Sequence, residues 1–156
     1  MGLVKNLLEY KGNEVYMIHA GETIYSALMM LAKHDVGALV VVDECEKIVG
    51  IFSERDYARK VVLMGKSSKS ATVKEMMNPT VYFMKPDNKL LECLELMTKK
   101  RTRHLPILQD KKMIGLVSIG DIVNRIISEQ KTKIKDLEGY IVGDAYGIEI
   151  KMPATE

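Results

Sequence analysis

The chain has 156 residues, 47% of them hydrophobic and 28% charged, a balance that suits one compact domain or two small ones sharing a core. Its net charge of +2 gives no global pull toward nucleic acid or a membrane surface. No apolar run approaches the ~20 residues that span a bilayer, the start lacks the apolar centre of a signal peptide, and Asn6 stands where a myristoylation signal would carry Ser or Thr. Cys45 in an acidic turn and Cys93 on an apolar helix face read as idle or buried thiols of a reducing compartment. Cysteine and histidine never cluster at metal-ligand spacing. The expectation is a cytoplasmic protein without a metal.

Leu3, Val4, Leu7 and Leu8 share one helical face, and Gly12 and Asn13 end that helix. Val15-Tyr16-Met17-Ile18 is a short β-rich run. Ile24, Ala27, Leu28 and Leu31 follow amphipathic helical spacing, with Thr23 as the cap. Residues 38–42 form a continuous apolar run, the mark of a strand buried on both faces. A polar turn leads into a second strand over 48–52, and Ser53 opens a helix carrying Tyr57, Val61 and Val62.

The second half repeats this order. Val81-Tyr82-Phe83-Met84 matches 15–18 at an offset of 66, and Leu90, Cys93, Leu94 and Met97 match the first amphipathic helix at the same offset. His104-Leu105-Pro106-Ile107-Leu108 matches 38–42, and Met113 to Val117 matches 48–52 after a turn one residue shorter. Each half is therefore a β-α-β-β-α unit, with a parallel pair across the crossover and an antiparallel pair across the short turn. The fold class is α/β (α+β), two tandem units packed on each other. The expected division is an N-terminal helix over 1–12, repeats over 13–66 and 73–130, and a C-terminal extension over 131–156. Gly65 to Ala71 has linker composition, and Leu137, Tyr140 and Ile141 predict a short last helix before Gly143.

One motif is written twice: Gly50-Ile51-Phe52-Ser53-Glu54-Arg55-Asp56 and Gly115-Leu116-Val117-Ser118-Ile119-Gly120-Asp121. Ser-x-x-Asp before an apolar helix is a capping-box variant. It also sits at a strand-to-helix junction, where α/β ligands bind and phosphate finds free N–H groups. An ionised aspartate there accepts from two vicinal hydroxyls, as a ribose presents them. The glycine allows close approach of backbone or ligand. Both readings stay open at this level.

The duplication, the two motifs and Arg103-His104-Leu105-Pro106 together resemble the cystathionine β-synthase (CBS) domain family in its tandem form, the Bateman module. The resemblance implies a non-catalytic regulatory sensor, with two clefts for adenosine compounds such as AMP, ADP, ATP, NAD or S-adenosylmethionine. It implies a stand-alone homodimer and an unidentified regulated protein. Carried onto this chain, it places Asp56 and Asp121 on ribose hydroxyls and Ser53 and Ser118 near ribose or phosphate. Arg103 and His104 meet phosphate, and Pro106 closes their motif. Val15, Val81 and Met84 sandwich adenine or belong to the core. Gly37 and Ala38 stand where the second half has Arg103 and His104. The cleft of Asp121 is therefore expected to be the stronger, unless Arg55 or the opposite repeat supplies a cation to that of Asp56.

Within Lys99-Lys100-Arg101-Thr102-Arg103, a solvated helix end competes with a phosphate-facing role for Arg101 and Arg103. Arg59 and Lys60, one turn after Asp56, also reach toward phosphate. A nucleic-acid patch lacks interleaved aromatics. A second functional class remains: a protein-interaction module that regulates an enzyme without nucleotide.

Overall fold

The computed structural model describes residues 2–138. The chain runs α1 (Val4–Lys11), β1 (Met17–His19), α2 (Ile24–His34), β2 (Ala38–Val42) and β3 (Ile48–Ser53). Next come α3 (Glu54–Asp56) and a π-helical turn, Tyr57–Val61. The second half runs α4 (Val73–Met76), α5 (Leu90–Lys100), β4 (His104–Gln109), β5 (Lys112–Ser118) and α6 (Ile119–Glu138). This is the expected mixed α+β duplication. No helix among the described residues is long and apolar enough to cross a membrane.

The first sheet has the order β1-β2-β3, parallel then antiparallel, as the helical crossover and the short turn require. All five residues of β2 are buried, as its unbroken apolar run predicts. The second sheet is only β4-β5. The strand expected over 81–84 shrinks to one bridge, Met84 with Ile107. The reason is Pro106. In the first repeat Val40 N–H donates to the Tyr16 carbonyl at 3.1 Å. Pro106 occupies the equivalent place and has no N–H to offer Tyr82.

Two apolar cores form, and each borrows a helix from the other half of the sequence. Val73 and Met76 of α4 pack with Ile18, Leu31, Leu39 and Phe52 of the first repeat. Val4, Leu7 and Leu8 of α1 pack with Leu90, Met97, Leu105 and Ile122 of the second. The backbone repeats this exchange in matching bonds. Val4 N–H donates to Asn88 O at 2.9 Å and Lys5 N–H to Pro86 O at 2.9 Å. Val73 N–H donates to Glu22 O at 2.8 Å and Lys74 N–H to Ala20 O at 2.9 Å. The linker-like stretch is held too, since the Ser68 and Ala71 carbonyls accept from Tyr25 and Ile24 N–H at 2.7 and 2.9 Å. These carbonyls satisfy donors that the first turn of α2 leaves free.

Other elements differ in detail. The helix after Ser53 widens into the π-helical turn and leaves Val62 exposed. α6 continues to Glu138 through the polar stretch after Ser128. Leu137 therefore lies in α6, while Tyr140, Ile141 and Gly143 fall outside the described residues. Cys45 is exposed and Cys93 buried, both as free thiols. Burial, with Glu92 beside it, pushes the Cys93 thiol up to about 11.

Candidate functional site

Both copies of the repeated motif are capping boxes. Ser53 holds extended backbone, its Oγ accepts the Asp56 N–H at 3.3 Å, and its own N–H donates to Asp56 Oδ2 at 2.9 Å. Ser118 Oγ accepts the Asp121 N–H at 3.1 Å, and Ser118 N–H donates to Asp121 Oδ2 at 2.9 Å. Each serine oxygen is thus engaged locally as the cap acceptor. The cap engages one oxygen of each carboxylate. The other oxygen of Asp56, Oδ1, lies 3.4 Å from Lys60 Nζ.

The two motif glycines face protein chain, not open cleft. A Cβ on Gly50 would come within 2.6 Å of Met77 Sδ and 2.8 Å of the Asn78 carbonyl. A Cβ on Gly115 would come within 2.7 Å of Leu8 Cδ2. Each glycine therefore makes room for the segment that the other half lends.

Each aspartate opens onto a different cleft, and each cleft crosses between the repeats. The cleft of Asp56 has a volume of ≈ 370 Å³, within the usual range for small-molecule sites. Its cations are Arg55, Arg59, Lys60, Arg101 and Arg103, and its acids are only Glu54 and Asp56. Asn78, Thr80 and Tyr82 complete its wall. The cleft of Asp121 is smaller, ≈ 230 Å³. Lys11 is the one Lys or Arg among its lining residues, against Glu14, Asp35 and Asp121. His104 reaches both clefts.

This placement corrects the pairing expected from the sequence. Arg103 lies in the cleft of Asp56, not with Asp121, because the strand starts of one repeat face the motif of the other. Arg55 lies there too. The opposite repeat supplies the cations that Gly37 and Ala38 lack. The cation beside Asp121 is instead Lys11, whose Nζ is 2.7 Å from Asp121 Oδ2 and 2.6 Å from the Leu116 carbonyl.

The adenine candidates shift by one residue. Val15 and Val81 line neither cleft, whereas Tyr16 lines that of Asp121 and Tyr82 that of Asp56. Side chains alternate along extended chain, so a one-residue error turns a position away from the cleft. Met84 packs against the second core. Pro106 is buried in β4, where its carbonyl accepts the Met84 N–H at 3.1 Å. Tyr16 stacks on His34 with ring centroids 3.9 Å apart, and its hydroxyl donates to Glu14 at 3.0 Å. That bond raises the Tyr16 phenol above its ordinary range. Lys100 Nζ lies 5.4 Å from the centre of the Tyr82 ring.

Burial holds the His104 imidazole below its usual range, although the Asp121 charge opposes it. Burial alone would raise the Asp121 carboxyl. Hydrogen bonds from Lys11 and Ser118, with the Lys11 charge, outweigh it and lower the carboxyl. No group of three His, Cys, Asp or Glu among the described residues could hold a metal ion.

A model of the CBS domain matches residues 9–63 and again 73–128. The chain belongs to the CBS-domain family. It is a tandem CBS pair, and such a pair is a regulatory module. A mitochondrial CBS domain-containing protein of Arabidopsis thaliana is 42% identical over 126 residues, 78% of this chain and 61% of that protein. An uncharacterised protein of Methanopyrus kandleri is 34% identical over 65% of this chain and 53% of its own length. The CBS pair therefore spans roughly half to three-fifths of these two relatives. Among solved structures, a CBS-domain protein from Burkholderia ambifaria superposes with a TM-score of 0.80 at 42% identity, covering 83% of this chain and 96% of that one. Another CBS pair, solved in complex with 5′-methylthioadenosine and S-adenosyl-L-methionine, has a TM-score of 0.72 at 27% identity. That match covers 83% of this chain and 98% of that one.

Sequence reasoning missed Lys11, Glu14, Tyr16, Asp35, Asn78, Thr80 and Tyr82 at the clefts. A signal for the exchanged helices was present: Val4-Lys5-Asn6-Leu7-Leu8 matches Val73-Lys74-Glu75-Met76-Met77 at an offset of 69. Val4 to Val15 spans eleven positions and Val73 to Val81 only eight. The extra residues of the first half form the turn that carries Lys11.

Proposed function

We propose that this CBS pair is a non-catalytic sensor of adenine nucleotides, with the nucleotide seated in the cleft of Asp56. The observation that carries the reading is the charge of that cleft: five cations and one further acid around the Asp56 carboxylate at a strand-to-helix junction. Asp56 Oδ1 takes ribose hydroxyls, Tyr82 flanks the base, and Arg101 and Arg103 neutralise phosphate. The related pair that holds 5′-methylthioadenosine and S-adenosyl-L-methionine supports an adenosine ligand. AMP, ADP, ATP and NAD share the chemistry that this cleft recognises. The ligand shifts the protein by its differential affinity for two geometries of the pair. The free cysteines fit a reducing compartment such as the cytoplasm.

The test is a melting curve with AMP, ATP or NAD at a hundredfold excess over Kd, where binding adds ~2.7 kcal/mol. Three curves unmoved by ligand would sink the proposal. Arg103→Ala removes one charge-assisted contact and weakens AMP roughly ten- to hundredfold. Unchanged affinity in that variant removes Arg103 from the site.

A second reading concerns assembly. Ile119, Val123, Ile127 and Ile134 are exposed along α6, as are Leu63 and Met64. Such a stripe suits a homodimer or a regulated partner. Val123→Asp with Ile127→Asp converts a dimer to a monomer in sedimentation. A wild-type chain that already sediments as a monomer excludes the homodimer.

A further inference from the structure

Resting on the reading of both clefts as adenosine sites, we propose that the two clefts sort ligands by charge. The cleft of Asp56 takes phosphorylated nucleosides. The cleft of Asp121 takes an adenosine-type ligand without phosphate, neutral or cationic at its 5′ end.

Equivalent positions of the two repeats carry opposite chemistry. The left-handed residue that ends α2 is Asp35, and the one that ends α5 is Arg101. Asp35 faces Asp121, and Arg101 faces Asp56. Two positions further on, Gly37 stands against Arg103. Glu14 of the Asp121 cleft matches Thr80 of the other. A phosphate placed beside Asp121 would meet Glu14 and Asp35 where its counterpart meets Thr80 and Arg101.

Lys11 does not reverse this field. Two of its three N–H donors are already held by Asp121 Oδ2 and the Leu116 carbonyl, at 2.7 and 2.6 Å. His104 is the remaining basic side chain of that cleft. Its burial disfavours the imidazolium. A ribose bound at Asp121 shares the carboxylate with Lys11. The acids at the cleft wall then face the 5′ substituent, where they favour a cation and repel phosphate.

The experiment is titration calorimetry on the full chain with ATP, 5′-methylthioadenosine and S-adenosyl-L-methionine. One equivalent of 5′-methylthioadenosine or S-adenosyl-L-methionine is expected to bind with ATP already saturating. Asp121→Asn keeps an acceptor for the Ser118 N–H. It should weaken the phosphate-free ligands at least tenfold and leave ATP within about twofold. Asp56→Asn should do the reverse. Glu14→Gln with Asp35→Asn alters no side-chain cap, and it should admit a second equivalent of ATP. Displacement of 5′-methylthioadenosine by ATP, or loss of ATP affinity in Asp121→Asn, overturns the sorting. ATP binding without any phosphate-free ligand overturns it as well, and leaves the nucleotide-sensor reading standing. Failure of every ligand to bind overturns both.

Discussion

Gly50→Ala separates a packing role for the motif glycine from a ligand role. The new Cβ would lie 2.6 Å from Met77 Sδ and 2.8 Å from the Asn78 carbonyl. The methionine can swing aside, but the carbonyl cannot. Asn78 O accepts the Ile51 N–H at 3.0 Å, and Asn78 N–H donates to Ile51 O at 2.8 Å. Overpacking costs about 1–3 kcal/mol, and each strained backbone bond adds about 0.5–1.5 kcal/mol when lost. Together they give a loss of roughly 2–6 kcal/mol, or about 4–24 °C in Tm for a chain of this size. Gly115→Ala is the internal control. Its Cβ meets only the end of the Leu8 side chain, at 2.7 Å, so about 1 kcal/mol and ~2–4 °C are expected. Differential scanning calorimetry of the two variants, with and without AMP, reads both numbers. Asn78 and Thr80 line the cleft of Asp56, so Gly50→Ala should also weaken AMP. A Gly50→Ala chain that melts like wild type but binds AMP poorly would refute the packing account.

Pro106→Val restores an N–H opposite the Tyr82 carbonyl. Hydrogen exchange should show a protected amide at position 106 and slower exchange over 82–85, and fast exchange there counts against the pairing. The half-buried His104 is harder to protonate in the folded chain than in the unfolded one, because desolvation disfavours its imidazolium. Its contribution to stability is full above about pH 6.5 and falls as pH drops through the depressed folded value. The Tm difference between wild type and His104→Gln should therefore shrink from pH 8 to pH 5, and a flat difference would remove His104 as the cause. Lys11→Met deletes an ion pair whose side chains are 26% and 27% exposed, at a cost of about 1–2 kcal/mol near neutral pH. The lowered Asp121 carboxyl contributes stability above its ordinary value, about 3.9, which is lost as pH falls. The gap between wild type and Lys11→Met should accordingly narrow as pH falls below that value, and a gap as wide at pH 3 as at pH 7 argues against this linkage.

The periods of 2 and 3.6 and the offset of 66 residues were enough to read both halves and most of their elements. The missing strand at 81–84 had a visible cause in Pro106, but a run of β-formers says nothing about its partner's donors. The motif aspartates were legible because a capping box and an outward carboxylate leave the same residues. Their partners were not. Arg103 lies nearer Asp121 in sequence than Asp56 does, and only the crossing of the repeats sends it to the cleft of Asp56. Lys11 stayed hidden because its helix serves the far half of the chain.

That exchange also decides what can be cut away. A fragment ending before residue 72 would keep α1 without the second core it fills, and would leave Phe52 and Leu39 without Val73 and Met76. The length of chain that was duplicated is therefore not the length that folds. Either half expressed alone should be a poor folder, while both halves supplied together, cleaved between Gly65 and Ser70, should clasp into one particle. Each repeat keeps an arm lodged in the other's core, so neither core is complete without both halves of the chain.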